Sequence, residues 1–421
     1  MKELDEENVF FNRDHFEDLH FQDSILGNYV SPIALFVNHN QKYCTQKYDL
    51  KNAFLNKMID VDFPLGEPKR LVGKEAEIFF NSQIIPKKLY AVVKAKVCAP
   101  QTIIVSKLPF LPVKIESKSG GKSTYLGMCK TCCQIGAKNK CNHTVGDRTF
   151  LTTCLREDIE YAVSLGYTFN ILVVYYWRQK NNCSDINSLC KNAMALMNRN
   201  INEKIERKFL KQMMLSALGR FALDVEKYNT VLYCYSKTHF FLELAQEKNT
   251  SYNVSKRMAR FEQKDKSFDY RHHYKNAVRC NINPLIFAIV SNACRREVHT
   301  KAMQCLSTNM FLLCRIDTDS ILCTFNKSME RVAKDLFPKH QYKLEEENIT
   351  SYLSKKKRSY MYYRANNGTV CVKTCGLQMS LAKRTTVNMP NNCNFEVSDR
   401  VICKMCEIDG LSFIDSMGIG F

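Results

Sequence analysis

The stretch FLLCRIDTDSILCTF, residues 311–325, constrains the fold of this chain more than any other. Two short apolar runs flank an Asp-x-Asp, and an antiparallel hairpin buries both runs while leaving the acids at its turn. Strand side chains alternate, so Asp317 and Asp319 are expected on the same side of that turn. Two like charges held there repel unless a cation lies between them. A divalent metal is one relief; aspartate bonding its own backbone in a tight turn is the alternative.

The rest of the chain is basic. Its 421 residues carry 61 Lys+Arg against 42 Asp+Glu, a formal net charge of +19 with a pI near 9.1. Such a surface attracts polyanions and releases their counterions on binding. Nucleic acid is the leading partner, with a plain lysine-rich surface as the alternative. The length allows two or three structural units, and 45% hydrophobic residues with only 15 Gly and 10 Pro mark a globular chain. The longest apolar runs, FNILVVYYW (169–177) and NPLIFAIVSNA (283–293), fall short of the roughly 20 residues of a membrane span. No membrane partner is expected. The opening MKELDEENVF lacks the apolar stretch of a secretory signal. Twenty cysteines then read as reduced thiols and metal ligands, which implies an intracellular, reducing compartment.

Residues 41–68 run from an alternating strand into a short helix and stop at FPLG, leaving Asp49 at a strand's end. Residues 87–105 read as two strands broken at Ala99-Pro100, followed by the loop ESKSGGKS (116–123). A helix is expected over 153–165 with Gly166 as its stop, then a strand over 169–177. Residues 201–221 form the clearest helix, with Lys211, Leu215 and Leu218 on one face, and a further helix over 283–304 leads into the hairpin. The acidic stretch DHFEDLH (14–20) reads as a solvated amphipathic turn rather than a metal cluster of His15, Glu17, Asp18 and His20. Cys129, Cys132, Cys141 and His143 have the ligand types of a Cys₃His zinc site, structural because four protein ligands leave no open position. Chance pairing among twenty cysteines is the alternative, and Cys403 with Cys406 is read as core.

YDLKNAF (48–54), KQMMLSALGRF (211–221) and IDTDSI (316–321) resemble, in that order, the A, B and C motifs of family B DNA polymerases. KKKRSYMYY (355–363) and VKTCGLQM (372–379) resemble the Lys-x-Tyr and following segments of the protein-primed branch, which serves adenoviruses, phages, linear plasmids and Polinton-type elements. Stretches within 89–177 resemble its linear-plasmid and Polinton members, and the whole resemblance covers about residues 40–395. It implies an α+β right-hand polymerase fold with an antiparallel-sheet palm, helical fingers and a short thumb. The expected division is 1–70 for the N-terminal segment and first part of the palm, and 71–180 for an insertion with the Cys/His cluster. Residues 181–235 would be fingers helices, 236–335 palm, and 336–421 thumb and C-terminal segment.

The resemblance further implies template-directed DNA synthesis from a primer hydroxyl, protein-borne in this branch, for replication of a viral or mobile-element DNA. A catalytically weak or silent polymerase-like subunit that binds nucleic acid is the alternative. Two Mg²⁺ ions are implied, with Asp49 and Asp319 as principal ligands and Asp317 as the third carboxylate. Asn52, Phe54, Lys211, Ser216 and Gly219 would bind nucleotide, Phe54 standing where the family usually has the Tyr that excludes a ribose 2′-OH. Leu215 and Leu218 replace the family's Asn and Tyr, which implies an altered nucleotide pocket. Arg220, Arg358, Tyr360 and Lys373 would bind DNA. Implied partners are a DNA primer-template, dNTPs, and a terminal protein or separate exonuclease subunit, in the nucleus or at a viral replication site. Because 48 residues precede Asp49, a polymerase module is expected, with any proofreading exonuclease encoded separately or absent.

Overall fold

The computed structural model describes residues 15–16, 18–27, 29–33, 36–38, 42–81, 89–100, 108–116, 122–135, 143–181, 184–199, 204–222, 231–232, 262–264, 267–269, 272–273, 283–308, 310–356, 359–364, 369–373 and 387–388. The chain divides into two compact units. One comprises Met1–Leu26, Phe54–Cys98 and Thr149–Asn292; the other comprises Gly27–Ala53, Ala99–Arg148 and Ala293–Phe421. Both units are interleaved along the chain. Antiparallel ladders join strands far apart in the chain, so the expected insertion 71–180 is shared between both units.

The first unit is built on an antiparallel sheet in the order Thr149–Leu155, Tyr90–Cys98, Thr168–Trp177, Lys69–Val72. The helix expected from residue 153 starts at Arg156 instead, because Thr149–Leu155 completes its ladder against Tyr90–Cys98. Its end is as expected, with Gly166 at a positive φ of 89° and its N–H donating to the Val163 carbonyl. Trp177, Phe21, Tyr90 and Phe63 form the centre of this unit's core. The helices Ser184–Arg199 and Lys204–Phe221 pack onto it through Cys190, Ala193 and Met197 and through Met214 and Leu218. Trp177 is fully buried and meets its polar requirement by donating from Nε1 to the Gly66 carbonyl at 3.0 Å.

The acidic stretch near the start is not simply solvated. Asp18 takes Arg70 on one oxygen at 2.6 Å and the Tyr175 hydroxyl on the other at 2.6 Å. Burial works to raise its carboxyl pKa, but these two hydrogen bonds and the Arg70 charge outweigh it and hold the pKa below the usual value. Burial, followed by the bond to Asp18, pushes the Tyr175 phenol up to about 12.

A second buried network ties the chain's two ends of this unit together. Asn292 donates to the Asp158 carboxylate at 2.7 Å and to the Ser24 carbonyl at 2.9 Å, and accepts from the Leu26 N–H at 3.2 Å. Asn292 and Asp158 are both fully buried. Asn292→Ala is therefore expected to destabilise the fold by about 3 kcal/mol, because it removes three hydrogen bonds, one of them to a buried carboxylate. Thermal melting should read this as a loss of about 6–12 °C.

The second unit carries a nine-stranded antiparallel sheet in the order Val387–Asn388, Thr369–Lys373, Ser359–Arg364, Tyr342–Lys356, Tyr43–Leu50, Ser320–Asn326, Phe311–Asp317, Val30–Pro32, with Phe36–Asn38 pairing Tyr342–Lys356 off that path. The strands Tyr342–Lys356, Ser359–Arg364 and Thr369–Lys373 continue the sheet that holds the 311–326 hairpin. Their alternating Tyr, Val and Ile suit a half-buried ladder. One face carries Tyr48, stacked on Phe337 at 4.1 Å, and Cys323, which bonds Cys305 of the helix Pro284–Ser307. The other face carries the acidic residues.

His299 of that helix is buried between the rings of Tyr29 and Phe110 and bonds the Leu108 carbonyl through Nε2 at 3.0 Å. Burial, with Arg295 nearby, brings its pKa down to about 4 against an ordinary 6.5. The native state thus holds His299 neutral while the unfolded chain takes up a proton below 6.5. Stability is fully present above that pH and is expected to fall by about 1.4 kcal/mol per unit as pH drops toward 4. Urea denaturation from pH 7 to 4.5 should show this slope, and His299→Gln should flatten it.

Candidate active site

Asp49 closes the strand Tyr43–Leu50, and Asp317 closes the strand Phe311–Asp317. The strand Ser320–Asn326 lies between them, and Ser320 is the ladder partner of both carboxylate-bearing residues. Residues directly opposite in a ladder share a face. Asp49 and Asp317, 268 positions apart in the chain, therefore flank one serine on one side of the sheet. Lys343, opposite Asp49 on its other side, extends the same row.

Asp319 arrives differently from the sequence expectation. The strand ends at Asp317, so side-chain alternation does not reach residue 319. Thr318 has φ 61°, a left-handed conformation that is rare for a β-branched residue. The Asp319 N–H donates back to the Asp317 carbonyl at 2.8 Å, closing a γ-turn of the strained hand. Two further backbone bonds hold the turn from outside: Thr318 N–H to Tyr29 O and Leu50 N–H to Asp319 O, both 2.8 Å. The second bond pins the tip of the hairpin to the residue that follows Asp49. Strain maintained by such bonds is the mark of a preorganised functional turn. All three carboxylate residues are half-buried.

The chain leaves Asp49 through Asn52, whose φ of 47° is one that asparagine tolerates, and enters the helix Ala53–Asp60. Phe54, on that helix, is partly buried against the first unit's core. On Lys204–Phe221, Lys211, Ser216, Gly219 and Arg220 are exposed, whereas Leu218 is 2% exposed and packs in the core with Met214. The face that carries Lys211, Leu215 and Leu218 thus runs from an exposed Lys211 to a buried Leu218. The helix turns its 214/218 edge inward, and Leu215 is half-buried beside it. Tyr360 and Lys373 are ladder partners. Arg358 and Cys141 lie outside the described residues.

Sequence reasoning passed over two residues on the acidic face. Lys47 and Arg315 are buried, and both are ladder partners of Leu322. The signal was present: a basic residue two positions before each strand-borne aspartate.

Cys129, Cys132 and His143 form a separate cluster, with all three ligand atoms within 4.8 Å of one another. The thiols lie 3.4 and 3.2 Å from His143 Nδ1, and the Cys132 N–H points to Cys129 Sγ at 3.5 Å. Asp147 braces both sides of the cluster, accepting from the Thr131 hydroxyl at 2.7 Å and the Thr144 hydroxyl at 2.9 Å. Those bonds hold its carboxyl pKa below the usual value. A Cβ on Gly127 would stand 2.4 Å from Cys133 Sγ, so the close approach requires glycine there. The described cysteines are free thiols.

Among the described residues, no helix is long and apolar enough to cross a membrane. A comparison with curated proteins finds no match. The fold is shared with solved structures of phi29 DNA polymerase. Its complex with primer-template DNA and incoming nucleotide is 13% identical, with a TM-score of 0.55, covering 91% of this chain and 59% of that one. Its complex with single-stranded DNA is 12% identical, with a TM-score of 0.52, covering 91% and 58%. The architecture is accordingly that of a right-hand polymerase, and the chain spans less than two thirds of the phi29 enzyme's length. Residues 3–303 match the family model described as DNA polymerase type B, organellar and viral. With most of its length matched in this way, the chain belongs to the organellar and viral type B DNA polymerases.

Proposed function

We propose that this protein carries out template-directed DNA synthesis, transferring a nucleotidyl group from a deoxynucleoside triphosphate to a primer hydroxyl in the replication of a viral or mobile-element DNA. The observation that carries this reading is that Asp49 and Asp317 flank Ser320 on one side of a single sheet, with Asp319 in the adjoining turn bonded to Leu50, in a chain of this family. Hard oxygen donors on adjacent strand ends suit Mg²⁺. Two Mg²⁺ ions held there would stabilise the attacking and leaving oxygens of the phosphoryl transfer. The chain's own part is to hold those oxygens ready: the pinned γ-turn fixes Asp319, and the ladder fixes Asp49 and Asp317.

Lys211 and Arg220 stand exposed on one helix, available to triphosphate and template phosphates. The net charge of +19 favours a DNA partner in the same sense. A protein-borne primer hydroxyl, supplied by a terminal protein, belongs to this proposal as a partner. So does a structural zinc ion on Cys129, Cys132 and His143, a thiolate and imidazole donor set that suits zinc, with Cys141 as the fourth ligand suggested by the sequence. Extension of a primed template in Mg²⁺ by the purified full chain tests the reading. Folded protein that binds DNA without incorporating nucleotide would replace it with a silent replication subunit.

A further inference from the structure

A basic residue precedes each strand-borne carboxylate by two positions, Lys47 before Asp49 and Arg315 before Asp317. Strand residues two apart share a face. The register therefore sets two rows side by side: Arg315, Leu322 and Lys47, then Asp317, Ser320 and Asp49. One cavity is lined by Lys47, Arg315, Asp317, Ser320, Leu322 and Tyr362, which places the cations directly beneath the acidic edge.

The two cations are matched differently. Lys47 is 11% exposed in its side chain and meets Glu345 of the neighbouring strand at 2.5 Å, a carboxylate outside the candidate site. Arg315 is 2% exposed and reaches into the site itself, with Nη2 at 3.4 Å from Asp317 Oδ2, while Nη1 donates to Ser354 Oγ at 3.4 Å. A buried guanidinium charge is costly unless an anion matches it. Asp317 thus has a permanent partner within the protein. A divalent ion approaching the edge meets a fixed positive charge one row behind the carboxylates and finds one Asp317 oxygen already engaged.

We propose that Arg315 is a positioning residue that competes with the divalent metal for Asp317. It weakens the metal hold on that side and leaves Asp49 and Asp319 as the ligands that carry the affinity. The inference rests on the polymerase reading of the same three carboxylates, and it concerns their metal binding rather than their chemistry.

The test uses Mn²⁺ as the probe, counted by electron paramagnetic resonance on the full chain without DNA, so that it does not depend on extension. Arg315→Gln is expected to bind Mn²⁺ more tightly, by about tenfold or more, because it removes a unit positive charge from beside a divalent ion. Arg315→Lys, which keeps the charge, is expected to stay within about threefold of the parent. Mn²⁺ affinity unchanged or weakened in folded Arg315→Gln overturns the proposal. Should that variant not fold, Asp317→Asn decides. It is expected to lower Mn²⁺ affinity by about tenfold, the effect of one lost unit charge, while Asp319→Asn lowers it far more, and equal loss in both overturns the proposal. Mn²⁺ binding of this pattern without primer extension would remove the polymerase activity and leave the Arg315 inference standing; extension with the opposite pattern would do the reverse.

Discussion

Asp319→Asn is expected to lower primer extension in Mg²⁺ by about 10³-fold or more, equivalent to about 4 kcal/mol of lost transition-state stabilisation. The substitution preserves shape and takes away only the negative oxygen. Two backbone bonds hold residue 319 in the turn, its N–H to the Asp317 carbonyl and its carbonyl from the Leu50 N–H, and the amide variant keeps both. Asp49→Asn is expected to behave alike, because Asp49 sits on the other strand of the same acidic edge. A gel-based extension assay beside DNA-binding and melting measurements checks the outcome. Loss of extension with retained folding and DNA affinity supports the assignment, and equal extension by parent and variant would sink it.

The next largest effect is expected from removing the proposed zinc. The segment that holds Cys129 and Cys132 offers little else to order it: the helix Lys130–Ile135 has six residues, too few to persist alone. In zinc-finger peptides the metal contributes about 10–16 kcal/mol of apparent folding free energy at neutral pH. Here the visible loss is limited by how much of the second unit depends on the cluster. The parent is expected to contain about one zinc per chain and to melt at a lower temperature after chelation. Cys132→Ser, which removes a ligand 3.2 Å from His143 Nδ1, is expected to bind none. Elemental analysis after growth in zinc-supplied medium decides: a parent with essentially no zinc leaves the three side chains as an ordinary hydrogen-bonded cluster.

The readings that came through from sequence were those with strong local periodicity or local punctuation. The strand Thr168–Trp177, the helices Lys204–Phe221 and Pro284–Ser307, and the hairpin around residues 317–320 each announce themselves within a window of ten to twenty residues. What failed was long-range pairing. The helix start slipped from 153 to 156 because a ladder partner 50–60 residues earlier claimed Thr149–Leu155. That Leu218 packs in the core while Lys211 stays exposed was not legible, because a helical repeat shows which residues share an edge and not which part of it turns inward. The pairing of Tyr342–Lys356 with Tyr43–Leu50 was not legible, because it joins residues about 300 positions apart.

For the candidate site, the three acidic residues and their order were named through the resemblance of YDLKNAF and IDTDSI to the family's A and C motifs, whereas the Asp-x-Asp by itself left metal binding and turn chemistry both open. The sequence also carried the basic residues at 47 and 315, two positions before two of those acids. Only the tertiary structure decided that Asp49 and Asp317 face each other across Ser320, and that Asp319 is held by a left-handed threonine rather than by strand alternation. The physical reason is that a side chain's identity and local repeat are properties of the sequence window, whereas register is fixed by burying one face of a sheet against the whole of its unit. Which charge lies under which carboxylate follows from register, and so it becomes visible only once the strands are paired.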